Sequence, residues 1–220
     1  MKKGSGGAIS RSLIDAVYET VIAHKLFFAI YEKITLLLGL LSVPLAFSFL
    51  TYFFAAGGVP TLLVPDVAST GGSALLIGGF VMALVIHEAS HLVVLTNHGV
   101  RATSVGISLA GVFGAYVQAD MNPETYHKIK VPFFSCGVGS GLLAFLILLA
   151  LGLSILPSAI PAAVAFFWFT VLNALPAPLM DGGKIFESGL EIARLERRVY
   201  HVSVLIIASW IAAIVYHLVV

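Results

Sequence analysis

Charge is what this sequence has least of. Only 10 % of its 220 residues are Asp, Glu, Lys or Arg, whereas a soluble domain carries about 25 %. With 59 % of its residues hydrophobic, the chain reads as a membrane protein. An excess of either sign is also lacking. The net charge is +1, no basic stripe with interleaved aromatics is present, and nucleic acid is excluded as a partner. Cysteine is nearly absent. Cys136 stands alone, so no internal disulfide can form, and its apolar setting suits a small buried hydrophobe. Finally, no apolar stretch directly follows the basic start, which argues against a cleaved signal peptide.

What the sequence has instead is length without charge. Uncharged runs cover 34–65, 67–86, 131–180 and 199–220, and one membrane passage needs roughly 20 apolar residues. The third run is long enough for two passages, with Pro157 and Pro161 supplying the break. The expected fold is therefore an all-α polytopic membrane protein with five spans, at about 34–56, 73–97, 132–154, 160–177 and 199–219. Residues 34–220 form a single transmembrane domain. Residues 1–33 mix apolar side chains with Arg11, Asp15, Glu19, Lys25 and Glu32, the pattern of an amphipathic helix at the membrane surface.

With five spans the connecting regions alternate sides. All twelve Lys and Arg residues then fall in the amino-terminal region, in 98–131 and in 178–198, which lie on one side. Cytoplasmic loops are enriched in Lys and Arg, so the amino terminus is expected in the cytoplasm and the carboxyl terminus outside. Two carboxylates remain within apolar segments, Glu88 and Asp181. A carboxylate in hydrocarbon costs several kcal/mol, so such groups usually mark a functional site facing other helices.

The second span contains His87-Glu88-Ala89-Ser90-His91, an HExxH pattern. On a helix, positions i and i+4 share a face, so both imidazoles can reach one zinc ion with Glu88 at its rim. A catalytic zinc site uses three protein ligands, and a carboxylate beside it can act as general base. The candidate third ligand is Asp181, in the stretch Asn173-Ala-Leu-Pro-Ala-Pro-Leu-Met-Asp181-Gly182-Gly183. Pro176 and Pro178 interrupt the fourth span and can turn a side chain back into the bundle. The competing reading is that Asp181 merely caps a following helix over 184–195, with the two glycines as turn residues. His24, His98, His127, His201 and His217 are not spaced to join the pair.

HExxH in one span followed by NxxPxxxxDGG resembles the site-2 protease family of intramembrane zinc metalloproteases. The resemblance covers about residues 80–190. It implies one Zn2+ per chain held by His87, His91 and Asp181, with Glu88 as catalytic base and the site lying within the bilayer toward the cytoplasmic face. It further implies a substrate or transition-state role for Asn173, beside the alternative that this Asn stitches two helices. Residues 103–118, broken by Gly106, Gly111 and Gly114, resemble the family's membrane-associated strands. A small hairpin is expected there, with Gly111 and Gly114 as substrate contacts and an exposed edge that could add a substrate strand. Cys136–Phe145 resembles the family's Gly-rich helix. Where many relatives have Gly-Pro or Asn, this chain has Gly139, Ser140 and Gly141, so no substrate contact is carried over to that helix.

The implied substrate is a transmembrane segment of another protein, cut in or near the lipid bilayer. No PDZ or CBS domain is expected, leaving control to the amino-terminal region, the hairpin or a regulatory membrane partner. Two other classes stay open. A metal-ion transporter would bring further His and Asp residues in a neighbouring span and more passages. A zinc-binding scaffold without protease activity would have no use for Glu88.

Overall fold

The computed structural model describes residues 11–56, 63, 70–108, 114–177, 180–192 and a few positions between 201 and 212. Helix α1 covers Arg11–Ala23, and α2 covers Lys25–Ala56 after the single intervening residue His24. Helix α3 covers Thr70–Asn97. Strands β1 (Ala102–Ser108) and β2 (Gly114–Ala119) then pair as a two-stranded antiparallel sheet. Helix α4 covers Pro123–Ser154, a short 3-10 turn covers Pro157–Ala159, and α5 and α6 cover Ile160–Asn173 and Asp181–Ile192.

The chain is thus mostly helical with one small sheet. Among the described residues, three helices rather than five are long and apolar enough to cross a membrane: α2, α3 and α4. The expected fourth span is a helix of 14 residues, about 21 Å at 1.5 Å per residue, short of the roughly 30 Å hydrocarbon core. Leu175, Pro176 and Ala177 continue beyond it as irregular chain, because Pro176 and Pro178 remove two backbone donors. The expected fifth span, 199–219, lies largely outside the described residues.

Two helices begin earlier than their apolar runs. Helix α2 starts at Lys25 rather than 34, since charge at a helix end does not stop it. Helix α4 starts at Pro123 rather than 132 because Asn122 accepts a hydrogen bond from the Thr125 N–H at 2.8 Å and Pro123 takes the first helical position. Helix α3 ends as its sequence predicts. Gly99 adopts φ 72°, the left-handed conformation that glycine enters without steric cost, and Val100 N–H bonds back to Leu95 O at 2.8 Å.

Helices α3 and α4 form the middle of the bundle, with α2 packed on both and α5 closing their other side. Their outer faces are apolar and exposed, as at Leu37, Leu45, Ile77, Val81 and Val85. Their inner faces are small and polar, with Thr35, Ser90, Ser135 and Ser140 buried. Hydrocarbon tails already solvate leucine, so membrane helices associate through close contact and hydrogen bonds rather than through apolar burial. Tyr31 on α2 shares a 2.7 Å hydrogen bond with Ser90 on α3, and the Cys136 thiol on α4 donates to Glu32 O of α2 at 3.4 Å. Burial of Cys136 suits the small-hydrophobe reading.

A separate cluster sits at the end of α3. Ile14 of α1, Leu92 of α3 and Val105 of β1 pack together. The apolar stripe of α1 is therefore taken up by the protein itself, through the buried Ile14 and Val21, while Arg11, Ser12 and Glu19 stay exposed. Arg101 bonds Asp15 at 2.6 Å across this junction and lies over the Tyr18 ring. The Asp15 carboxylate raises the Arg101 pKa above its ordinary value, so the guanidinium stays charged at every accessible pH.

Candidate metal centre

Helix α3 delivers the first two candidate ligands. His87 and His91 lie one turn apart on its buried face, with rings perpendicular and centroids 4.8 Å apart. The third arrives from α6. Asp181 opens that helix, which packs on α4, and its start lies so close to the stretch after α5 that a Cβ on Gly182 would strike Ala174 O and one on Gly183 would strike Ala177 O. Those two glycines let the helix start press against the proline-broken stretch, which carries the Asp181 carboxylate into the bundle.

The three reach one point. His87 Nε2 stands 3.1 Å and His91 Nε2 3.2 Å from Asp181 Oδ2, and the two Nε2 atoms are 3.2 Å apart. In a tetrahedral site with bonds of about 2.0 to 2.2 Å, neighbouring ligand atoms stand about 3.3 to 3.6 Å apart. The observed edges of 3.1, 3.2 and 3.2 Å are slightly shorter than that spacing. His87 and His91 side chains are 5 % exposed and Asp181 15 %, so bulk water does not separate them.

Hydrogen-bond chemistry explains why this triangle calls for a cation. His91 Nδ1 lies 2.9 Å from Phe133 O. A carbonyl only accepts, so Nδ1 carries a proton, and the ring in its neutral form presents a bare lone pair at Nε2. That lone pair faces a second imidazole nitrogen and a carboxylate oxygen, and Asp181 Oδ2 has no hydrogen-bond partner among the described residues. One proton on an imidazole could satisfy one edge of the triangle. A metal ion satisfies all three. This group of His87, His91 and Asp181 can hold a metal ion, with the Asp181 carboxylate standing against both imidazoles.

Around the ligands stand residues that the sequence did not single out. The Phe133 ring stacks on His91 at 4.3 Å and 22°, and the Phe169 ring meets His87 edge-on at 5.4 Å. A carbonyl on the second nitrogen of a metal-binding imidazole fixes its tautomer and orientation. No motif announces this role, because a phenylalanine in a membrane helix is ordinary and the contacting atom belongs to the backbone.

Glu88 follows His87 and is half-buried, close enough for its charge to act on His91, His87 and Asp181. Asn173 is the last residue of α5 and donates its amide to Phe169 O of the same helix at 3.0 Å. Gly114 opens β2, paired with Ser108. Gly111 lies outside the described residues, as do Pro178 and the end of the helix expected over 184–195.

Two imidazoles and one carboxylate, with a second carboxylate alongside, form a donor set able to bind an ion, to leave a coordination position free and to move a proton beside it. Comparison with family models, with curated proteins and with solved structures finds no significant match.

Proposed function

We propose that the chain is an intramembrane zinc metalloprotease that hydrolyses peptide bonds in or near transmembrane segments of other membrane proteins. One observation carries the reading: His87, His91 and Asp181 converge on one point inside a membrane-type bundle, with Glu88 next to the first ligand. The soft-to-intermediate nitrogen donors and single carboxylate suit zinc, which would supply Lewis acidity to polarise a peptide carbonyl and to acidify water.

The protein's own groups do the rest. Glu88, half-buried and acceptor-only when ionised, takes the proton of the attacking water and returns it to the departing amide nitrogen. Phe133 O holds His91 in the tautomer that presents Nε2. A closed substrate helix hides its amides, so the cleaved segment must be locally unwound. The hairpin offers an edge along which an extended segment could pair, with Gly114, Gly111 and Asn173 proposed as contacts. If the five expected spans alternate, the clustering of basic residues favours an amino terminus in the cytoplasm and a site toward that face. Among the described residues His87, His91 and Asp181 are the single such metal-binding group, which favours a resident ion over the relay of sites that a transporter needs.

The test is Glu88→Gln. The variant keeps the zinc content of the wild type while cleavage of a model membrane substrate falls by about 10²- to 10⁴-fold, the usual worth of a general base. Undiminished cleavage would remove Glu88 as the general base, and absence of cleavage by the zinc-loaded wild type would remove the protease reading.

A further inference from the structure

We propose that Gly137 on α4 is a positioning residue of the metal centre, bare of a side chain so that His91 and Asp181 can close on one ion. The proposal rests on the metal-binding part of the reading above and not on proteolysis.

Helix α4 touches the site along one face. Phe133 and Gly137 are four residues apart and so lie one above the other. Phe133 contributes its carbonyl to His91 Nδ1 and its ring to the imidazole plane. Gly137 contributes space. A Cβ built there would stand 2.6 Å from His91 Cε1, 2.8 Å from His91 Nε2 and 2.7 Å from Asp181 Oδ2, all closer than a real Cβ comes to another heavy atom. Two of those three atoms belong to the metal-binding triangle.

Neither neighbour can retreat freely. The His91 ring is held between its bond to Phe133 O and its stack on the Phe133 ring. The Asp181 side chain hangs from a helix start whose next two residues are pressed against Ala174 O and Ala177 O. A methyl group at 137 must therefore open the triangle, parting Asp181 from the imidazoles.

Other glycines of α4 meet different partners. Gly139 faces Thr35 O and Gly39 N of α2, Gly141 faces the Thr170 hydroxyl of α5, and Gly152 faces the Ile160 side chain. Close helix packing accounts for all three. It does not account for Gly137, whose nearest atoms all belong to His91 and Asp181.

Two variants of the full chain in detergent micelles decide the matter, Gly137→Ala and Gly152→Ala, the latter meeting only the flexible end of Ile160. Each is titrated with zinc against a competing chelator, and separately with cobalt(II), whose visible absorption reports four-coordinate geometry. Alanine favours helix over glycine, so metal-free Gly137→Ala is expected to keep the helicity and thermal midpoint of the wild type. Its zinc affinity is expected to fall at least about tenfold, the range for a lost orienting contact around a metal, and its cobalt spectrum to weaken. Gly152→Ala should bind both ions as the wild type does.

Wild-type affinity and spectrum in folded Gly137→Ala would overturn the proposal. A Gly137→Ala chain that cannot be recovered folded would overturn it too, assigning Gly137 to helix packing. Uptake of neither ion by the wild type would overturn it together with the metal centre. Because affinity and not cleavage is read, the result stands whichever way the Glu88 experiment falls.

Discussion

Two polar clusters on the same helix invite comparison. At the end of α3, Glu32 of α2 takes a hydrogen bond from Asn97 Nδ2 at 2.7 Å and lies 2.9 Å from His98 Nε2. Three turns earlier, His87 and His91 meet Asp181. Both clusters join histidine to a carboxylate from another helix, yet their chemistry is opposite. In the first, each Glu32 carboxylate oxygen meets a nitrogen able to donate, His98 is 37 % exposed, and the two contacts latch α2 to the end of α3. In the second, lone pairs face lone pairs within a nearly closed interior. Proximity of His and Asp or Glu therefore says little. Whether donors match acceptors separates a latch from a metal site.

That contrast can be broken experimentally, and the largest effect is expected at the triangle. Asp181→Ala removes a ligand, and zinc affinity should fall by more than about a hundredfold, beyond the loss typical of an orienting contact. Equilibrium titration measures it, and unchanged affinity would return Asp181 to a capping role. The latch should respond in the opposite sense. Glu32→Ala strips two charge-assisted hydrogen bonds and should cost about 1 to 3 kcal/mol of stability, read as a lower thermal midpoint in detergent, while zinc affinity stays at the wild-type value. Loss of metal in this variant would show that the two clusters are not independent. The smallest effect belongs to the Arg101–Asp15 pair, whose side chains are 60 % and 49 % exposed. Solvent and salt screen such a pair, so Asp15→Asn should leave both the midpoint and the metal affinity unmoved, and high salt should do the same.

The group able to hold a metal ion was legible because helical spacing alone puts His87 and His91 on one face and because a carboxylate in an apolar run needs a reason. The span count was less so. Hydropathy sees an uncharged run at 160–177 but not that Pro176 ends its helix early, and it places the start of α4 at Pro132 without weighing the Asn122 cap. Helix α1 reads as amphipathic from its pattern. The pattern cannot say that its apolar stripe meets Leu92 and Val105, since any apolar surface satisfies the same periodicity. Gly137 shows the same limit from the other side: a glycine in a span promises close approach, without naming what approaches.

From its order of residues this chain determined a membrane-type composition, a pair of imidazoles one turn apart and a pair of carboxylates that hydrocarbon would reject. Only the tertiary structure decided that Asp181 reaches those imidazoles, that Phe133 O fixes one of them and that α4 leaves room at Gly137. The reason is physical. Helical periodicity is a local rule that acts within a few residues, whereas a triangle closed by a residue of a second helix depends on where α3 and α6 come to rest against one another.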